Sequence, residues 1–275
     1  MLERTDAVNW STLKYMRQSP KHYRHALTVE RTTTDAMMLG LVAHCAVYEP
    51  QELAARYVRM PNFHGGMKDE TAIAKGYAGG KEAKAAWVAE NEGAMLVPDD
   101  IYERAIACAE AVLSDSVSSS MVQGGASEQL ITWTDERTGI ECRGRFDHVN
   151  GRLSDLKTTR ASGIRAFTRD AAEYGYHAQL AFYTDGLRAN GIDPQGAPAI
   201  IAVESAPPHD VIVFTLDKPT LAAGRRVYRD CLDTLRICRE ADMWPGVTSG
   251  AAIALELPPW ATEAEEITLG GVNLF

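Results

Sequence analysis

Two carboxylates and a lysine lie close together in the segment RGRFDHVNGRLSDLKTTR, residues 143–160. Strand side chains alternate between two faces, which predicts that Asp155 and Lys157 lie side by side while Leu156 points into the core. Asp147, on the preceding strand, would join them across a short hairpin. Two carboxylates and a lysine arranged in this way can hold a divalent cation and position a water molecule. The spacing therefore predicts metal-dependent hydrolysis, of which phosphodiester cleavage is the best-known use.

The alternative for the Asp-Leu-Lys sequence is an ordinary ion pair on an edge strand. The setting favours a site, because Asp147 precedes a tight hairpin and Asp155 is flanked by Leu153 and Leu156 rather than by turn residues. Carboxylates that share a site repel each other unless a cation or a proton lies between them. Because hard oxygen ligands prefer magnesium or manganese to zinc, we expect Mg²⁺, with Mn²⁺ as a substitute.

A helix downstream could supply further site residues. Tyr176, Gln179 and Tyr183 follow one another at i, i+3 and i+7 in YGYHAQLAFYTDGL, so they share one helix face. In isolation this pattern is typical of an aromatic stripe that lines a core, with a glutamine at its edge. Because the helix comes soon after the Asp-Leu-Lys strand, it can pack beside Asp155.

Two residues further upstream are weaker candidates. His44 lies in LGLVAHCAVYEP on a mostly apolar helix, where a histidine is more often a core or boundary residue than a ligand. Gly40, one turn earlier on the same face, would let this helix approach the sheet closely. Glu128 begins a predicted strand and is either an additional acid near the metal or an exposed charge at a strand end.

The charge is distributed unevenly along the chain. The net charge is −9, which argues against a general affinity for nucleic acids. Residues 141–170 nevertheless contain seven lysines or arginines against four acids. This stretch is either a solvated charged surface or a local track for a nucleic-acid backbone. The candidate DNA-binding residues are Arg143, Arg145, Arg160 and Arg165, together with Tyr176 on the following helix.

The composition argues against several classes of protein. The five cysteines include no CxxC pair, which disfavours a disulfide framework, a structural zinc site and an iron–sulfur cluster. The chain contains no Walker loop, so nothing predicts an ATP-driven motor. It also has no apolar run long enough for a membrane span and no secretory signal, so we expect a cytoplasmic protein without membrane contact.

The order of the predicted elements indicates one α/β domain over residues 1–275. Residues 1–120 are predicted to form a mainly helical layer, residues 125–241 a core with a mixed central β-sheet flanked by helices, and residues 242–275 a tail that ends in VNLF. Residues 61–80 are predicted to be a loop. Helices are predicted near 10–18, 34–48, 81–91, 99–115, 163–172, 175–189, 218–241 and 259–266. Strands are predicted over 128–134, 140–149 and 152–158, and within AIIAVES and VIVFTL.

The order of four motifs resembles the PD-(D/E)XK nuclease superfamily: GxxxH at 40–44, Asp147, DLKT at 155–158 and YHxQxxxY at 176–183. Within it the chain looks most like the RecE-type exonuclease VIII group, which is related to RecB-like and phage lambda-type exonucleases. Histidine rather than glutamate in the first motif, and aspartate in D-x-K, both occur in that group. The chain lacks the four-cysteine iron–sulfur pattern of AddB- and Cas4-like relatives. The resemblance implies a restriction-endonuclease-like core.

The resemblance also implies roles for the site residues. Asp147 and Asp155 would bind one or two magnesium ions with the help of the Leu156 carbonyl, and His44 would lie near the metal. Lys157 would orient or help deprotonate the attacking water. Gln179 and Tyr183 would contact the lysine, the water or the DNA end.

The activity implied by the resemblance is ATP-independent degradation of one strand of linear duplex DNA. Members of the group digest from the 5′ end, leave a 3′ tail for a RecT-like single-strand annealing partner in recombination, and tend to form closed rings. A bacterial or phage-encoded homo-oligomeric exonuclease is therefore expected. Two alternatives stay open: a single-strand exonuclease or endonuclease of the same fold, and a non-catalytic module that binds DNA ends.

Overall fold

The computed structural model describes residues 7–30, 32–258 and 261, together with the backbone of residues 268–269 and 272–273. Its helices are α1 (Trp10–Leu13), α2 (Pro20–Thr28), α3 (Asp35–Tyr48), α4 (Leu53–Arg56), α5 (Asp69–Ala74), α6 (Lys81–Glu90), α7 (Asp99–Ser114), α8 (Ser116–Val122), α9 (Ile164–Tyr174), α10 (Tyr176–Ala189) and α11 (Lys218–Ala241). Its strands are β1 (Tyr57–Met60), β2 (Met95–Pro98), β3 (Ala126–Thr134), β4 (Glu141–Val149), β5 (Leu153–Thr159), β6 (Ala199–Glu204), β7 (Val211–Thr215), β8 (Thr268–Leu269) and β9 (Val272–Asn273).

The central sheet contains five strands in the order β3-β4-β5-β6-β7. β5 and β6 run parallel, whereas the other neighbouring pairs are antiparallel. α9 and α10 form the connection between the two parallel strands, because a parallel pair needs a long crossover. A second, two-stranded parallel sheet is formed by β1 and β2. The predicted α/β fold with a mixed central sheet is thus confirmed.

Helices cover both faces of the central sheet. On one face, α3 and α7 pack against a core that includes Leu156, Ile201 and Val203 of β5 and β6. On the other face, α9 and α10 pack over a core that includes Phe146 and Leu153, and α11 packs against the outer side of α10. The site residues on β4 and β5 therefore lie between two helical layers that fix the positions of these strands.

The sequence of α3 explains why this helix is held firmly against the sheet. The Thr34 side chain accepts a hydrogen bond from the Met37 N–H and so caps the first turn. Apolar residues occupy nearly every face, since the helix is packed between the sheet and α7. Pro50 follows the helix and cannot continue it. This rigid helix brings His44 to the central strands.

The hairpin predicted at Asn150-Gly151 joins β4 to β5. Gly151 has a φ of 61°, a left-handed conformation that glycine adopts without strain. The two strands are paired at only two positions, His148 with Ser154 and Val149 with Leu153. Beyond these positions β4 and β5 separate, and the candidate site lies in the gap between them.

Several local predictions were wrong. A helix that the sequence analysis does not predict, α2, begins at Pro20, because proline suits the first helical position and Ser19 caps the helix. The predicted helix over 10–18 is the short α1 followed by a 3-10 turn at Lys14–Arg17. The predicted loop over 61–80 contains α5. The sequence pattern does not reveal β1, β2 and α8, because such short elements show no clear periodicity.

The C-terminal segment is described only in part. The predicted helix over 259–266 and the side chains of the terminal VNLF lie outside the described residues. β8 and β9 form a short antiparallel pair. Within the part of the chain that the structure describes, no helix combines the length and apolar character that a bilayer crossing requires.

Candidate metal centre

Two side chains fill the gap between β4 and β5. Asp147 Oδ2 accepts a hydrogen bond of 2.7 Å from the backbone N–H of Leu156. His44 reaches the same residue from α3, and its Nε2 donates to the Leu156 carbonyl oxygen over 2.8 Å. Both bonds satisfy backbone groups of β5 at a position where its pairing with β4 has ended. A carboxylate, an imidazole and a carbonyl that the resemblance assigns to metal binding therefore meet at one point on β5.

Glu128 joins these groups and completes an acid–histidine triad of His44, Glu128 and Asp147. His44 Nδ1 lies 3.7 Å from Glu128 Oε1 and 3.5 Å from Asp147 Oδ2. One ligand atom from each residue lies within 4.8 Å of the others, a spacing that suits a shared cation. Glu128 has a φ of 52°, which is unfavourable for a residue other than glycine. Backbone strain of this kind concentrates at functional sites, so Glu128 is a stronger candidate than its sequence context indicates.

Asp155 and Lys157 lie side by side on β5, as strand alternation predicts. Lys157 Nζ forms an ion pair with Asp155 Oδ2, and Gln179 on α10 donates its amide to Asp155 Oδ1 over 3.0 Å. Asp155 is only 1% exposed, so its carboxylate needs these partners. Lys157 Nζ also lies 5.0 Å from the centre of the Tyr176 ring. Asp155 thus lies beside the acid–histidine triad rather than within it.

The charges of these groups depend on one another. Burial opposes protonation of His44, but the Asp147 and Glu128 carboxylates outweigh it and raise the pKa of His44 to about 9. Burial likewise opposes the charge on Lys157, yet Asp155 and Asp147 hold its pKa above the usual range. Burial raises the pKa of Asp155, and the Lys157 ammonium opposes this shift. The site therefore concentrates negative charge that requires cationic partners.

Tyr183 lies one turn after Gln179 on α10, and its ring packs directly on Gly144 of β4. A Cβ atom at Gly144 would lie 2.7 Å from Tyr183 Cε1, so only glycine permits this position of the ring. Burial raises the pKa of Tyr183, and the Asp155 and Asp147 carboxylates add to the shift. The structure therefore brings Gln179 and Tyr183 to the Asp155 side of the site.

The triad and Lys157 open into one cleft of about 780 Å³. Arg145, a predicted DNA-binding residue, lines this cleft and lies 3.7 Å from Glu128 (Nη1 to Oε2). Arg56 also lines it, although α4 shows no motif from which the sequence could have identified this residue. Arg56 forms an ion pair with Glu49, which lines the same cleft, whereas Arg145 is only loosely paired with Glu128 and supplies positive charge that suits a phosphate-bearing substrate.

The other predicted DNA-binding residues occupy different positions. Arg160 and Arg165 are exposed, at the end of β5 and on α9, and Arg143 is half-buried on β4. None of these three belongs to the described lining of the cleft. Tyr176 lies beside Lys157. A role for these residues in binding DNA stays a prediction.

The donor set fits a divalent cation. The triad offers one imidazole nitrogen and two carboxylates, and the Leu156 carbonyl offers a further oxygen beside them. Oxygen-dominated sets favour Mg²⁺ or Mn²⁺ over softer metals. The residues that would hold the ion are therefore His44, Glu128, Asp147 and Leu156, with Asp155 next to them.

Comparisons with known proteins agree with this fold. Residues 9–256 match the model of a family described as a PDDEXK-like domain of unknown function. No curated protein has a significant match to the chain. The crystal structure of a provisionally named exonuclease from Eubacterium rectale is similar with a TM-score of 0.57, at 12% identity and over 94% of each chain. At this identity the likeness concerns the fold alone. The predicted resemblance to the PD-(D/E)XK superfamily is confirmed by the family match.

Proposed function

The chain belongs to the family of PDDEXK-like domains of unknown function, and we propose that it is a metal-dependent nuclease that hydrolyses phosphodiester bonds in DNA. The observation that carries this proposal is the opening of the acid–histidine triad and Lys157 into one cleft that also contains Arg56 and Arg145. Ligands for a cation, a lysine beside them and an arginine that can contact phosphate are parts that such a hydrolysis uses.

The side chains divide the chemistry between them. A bound divalent cation would polarise the scissile phosphate and lower the pKa of the attacking water. The Lys157 ammonium orients that water and offsets charge on the phosphoryl oxygens. Asp155 fixes the position of the ammonium through their ion pair, and Gln179 donates a hydrogen bond to the other oxygen of Asp155. The ring of Tyr176, 5.0 Å from the ammonium, restricts the position of the lysine further.

We propose Mg²⁺ as the working cation, with Mn²⁺ as a substitute and without ATP. The oxygen-rich donor set supports the choice of metal. The substrate that we propose is the end of linear duplex DNA, digested from 5′ to 3′ to leave 3′ single-stranded tails for recombination. The motif order shared with the RecE-type group supports this choice, as well as a homo-oligomeric ring, a RecT-like annealing partner and a cytoplasmic location in a bacterium or a phage-infected host.

Digestion of three substrates tests the proposal. Labelled linear duplex, a covalently closed circle and a single strand are incubated with Mg²⁺ and no ATP, with a chelator as the control. Loss of the linear duplex alone is the expected result. Cleavage of the circle would indicate an endonuclease, and preference for the single strand would indicate a single-strand exonuclease. If no substrate is cut in Mg²⁺ or Mn²⁺, the proposal is wrong and a module that binds DNA ends becomes the better account.

Two further measurements address the finer proposals. Separate labels at the 5′ and 3′ ends of the duplex show which end is released first, and early release of the 5′ label is expected. Sedimentation at micromolar concentration gives the oligomeric state, and a ring should sediment as one discrete oligomer. A monomer under these conditions would contradict the ring.

A further inference from the structure

A small group of polar side chains lies next to the metal-site residues. We call it the polar cluster, and it consists of Tyr48 at the end of α3, Ser127 on β3, His148 on β4 and Ser154 on β5. His148 is 0%, Ser154 1% and Tyr48 8% exposed. Each member is the chain neighbour of a site residue or lies one helical turn from it: Tyr48 from His44, Ser127 from Glu128, His148 from Asp147 and Ser154 from Asp155.

The polar cluster links α3 to three strands. Ser127 Oγ and His148 Nδ1 are 2.7 Å apart, within hydrogen-bond distance. The Tyr48 ring stacks on His148 with 5.7 Å between the ring centres and meets the edge of His44 at 5.9 Å. His148 and Ser154 are direct cross-strand partners. Displacement of any one of these side chains would therefore also shift a helix or strand that carries a metal-site residue.

Three atoms of the polar cluster have no hydrogen-bond partner among the described residues: Tyr48 Oη, His148 Nε2 and Ser154 Oγ. Tyr48 stacks on His148, and Ser154 is the cross-strand partner of the same histidine. Both hydroxyls therefore belong to residues that adjoin one imidazole, yet neither hydroxyl has a hydrogen-bond partner among the described residues. Buried polar atoms in folded proteins nearly always have a partner, and a buried water commonly serves about three of them.

We propose that Tyr48, His148 and Ser154 enclose one ordered water molecule, and that this water-linked cluster positions the acid–histidine triad for metal binding. A water fits either tautomer of His148. If Ser127 donates to Nδ1, then Nε2 carries the hydrogen and donates to the water; in the other tautomer Nε2 accepts from it. The three side chains act through the triad and are therefore positioning residues. The effect on metal binding rests on the proposed function, whereas the water itself does not.

A high-resolution crystal structure tests the water directly. The expected result is density for one water within hydrogen-bond distance of Tyr48 Oη, His148 Nε2 and Ser154 Oγ. A direct bond between Tyr48 Oη and Ser154 Oγ, with no water between them, would overturn the proposal. This measurement does not depend on whether the protein cleaves DNA.

Two variants test the link to metal binding. Tyr48→Phe removes the hydroxyl and keeps the stacking on His148. Calorimetry with Mn²⁺ should show a dissociation constant raised about tenfold, while kcat at saturating metal stays within about twofold of the wild type. The matched control is Tyr102→Phe on α7, which packs against the same core and should bind Mn²⁺ as the wild type does. Unchanged affinity in Tyr48→Phe would overturn the positioning role.

A double variant asks whether the two hydroxyls share one water. If they do, Tyr48→Phe combined with Ser154→Ala should weaken Mn²⁺ binding by less than the product of the two single effects. Multiplicative effects would contradict a shared water. If the wild type binds no Mn²⁺ at all, the proposed function fails, and the electron density alone then decides between one enclosed water and none.

Discussion

His44 Nε2 lies 2.8 Å from the carbonyl oxygen of Leu156, a residue 112 positions later in the chain. This hydrogen bond fastens α3 to the strand that also carries Asp155 and Lys157. It gives His44 a position that the sequence alone could not establish, because a single histidine on an apolar helix more often has a structural role. Its other ring nitrogen faces Glu128 and Asp147, so the imidazole connects the β5 backbone with both carboxylates.

The first prediction concerns His44 as part of the metal centre. His44→Ala removes one member of the triad and should weaken Mn²⁺ binding about tenfold or more, measured by calorimetry. His25→Ala, on the exposed side of α2, is the matched control and should bind as the wild type does. Equal affinities for His44→Ala and the wild type would exclude His44 from the metal centre.

The second prediction concerns the strained backbone of Glu128. Glu128→Gly and Glu128→Ala both delete the carboxylate and should both lose metal-dependent activity. Of the two, only glycine adopts the left-handed φ of 52° without strain. The glycine variant should therefore have the larger free energy of unfolding, by about 0.5–1 kcal/mol in urea. A glycine variant less stable than the alanine variant would show that this position is not strained.

The third prediction compares two glycines. Gly144→Ala forces the Tyr183 ring away from β4, because the added Cβ would lie 2.7 Å from Cε1, and it should lower the free energy of unfolding by about 1–3 kcal/mol. Gly40→Ala is the control. There a Cβ would meet Thr158 Oγ1 at 3.5 Å, an ordinary contact, and alanine favours the helix. Gly40→Ala should therefore be neutral or stabilising, and the opposite ranking would contradict this packing.

The fourth prediction concerns the pH dependence of stability through Asp185. Arg225 donates two hydrogen bonds to this carboxylate, of 2.6 and 2.7 Å, and Tyr228 donates a third. These partners outweigh burial and lower the pKa of Asp185. A carboxylate with a lowered folded-state pKa stabilises the fold above its unfolded pKa of about 4, and that contribution is lost as the pH falls through the folded value.

Asp185→Asn should therefore lower the free energy of unfolding by about 1.5–3 kcal/mol at pH 7. The difference from the wild type should shrink as the pH falls below about 4, which denaturation at several pH values can measure. The matched control is Asp193→Asn, whose carboxylate is 64% exposed and pairs with Arg188. That variant should change stability by less than about 1 kcal/mol at any pH. A constant difference across the pH range for Asp185→Asn would contradict the ion-pair account.

The long elements were predictable from the sequence because their patterns are strong. α11 was predicted over 218–241 and is found at Lys218–Ala241. The Asn150-Gly151 hairpin and the alternation of Asp155, Leu156 and Lys157 followed from turn chemistry and the period of a strand. α2 was missed because Ser19 and Pro20 fit the start of one helix as well as the end of another.

The detail of the site was less predictable for three physical reasons. The positive φ of Glu128 is a property of tertiary structure, and no residue pattern marks it. Arg56 reaches the cleft from a short helix that belongs to none of the motifs. Asp155 is buried, so its oxygens take Lys157 and Gln179 as partners, an arrangement that depends on desolvation. Sequence spacing brought the candidate residues together but could not predict which of them pair with one another.

The most direct test of the central claim is the rate at which Mg²⁺-dependent digestion of linear duplex DNA proceeds in wild type, Lys157→Ala and Lys81→Ala. Lys81 is exposed on α6 and serves as the matched control. The proposed chemistry predicts that wild type and Lys81→Ala release nucleotides at the same rate, while Lys157→Ala loses activity by about 100-fold or more. Equal rates in Lys157→Ala and the wild type would contradict the assignment of this cleft as the site of phosphodiester hydrolysis.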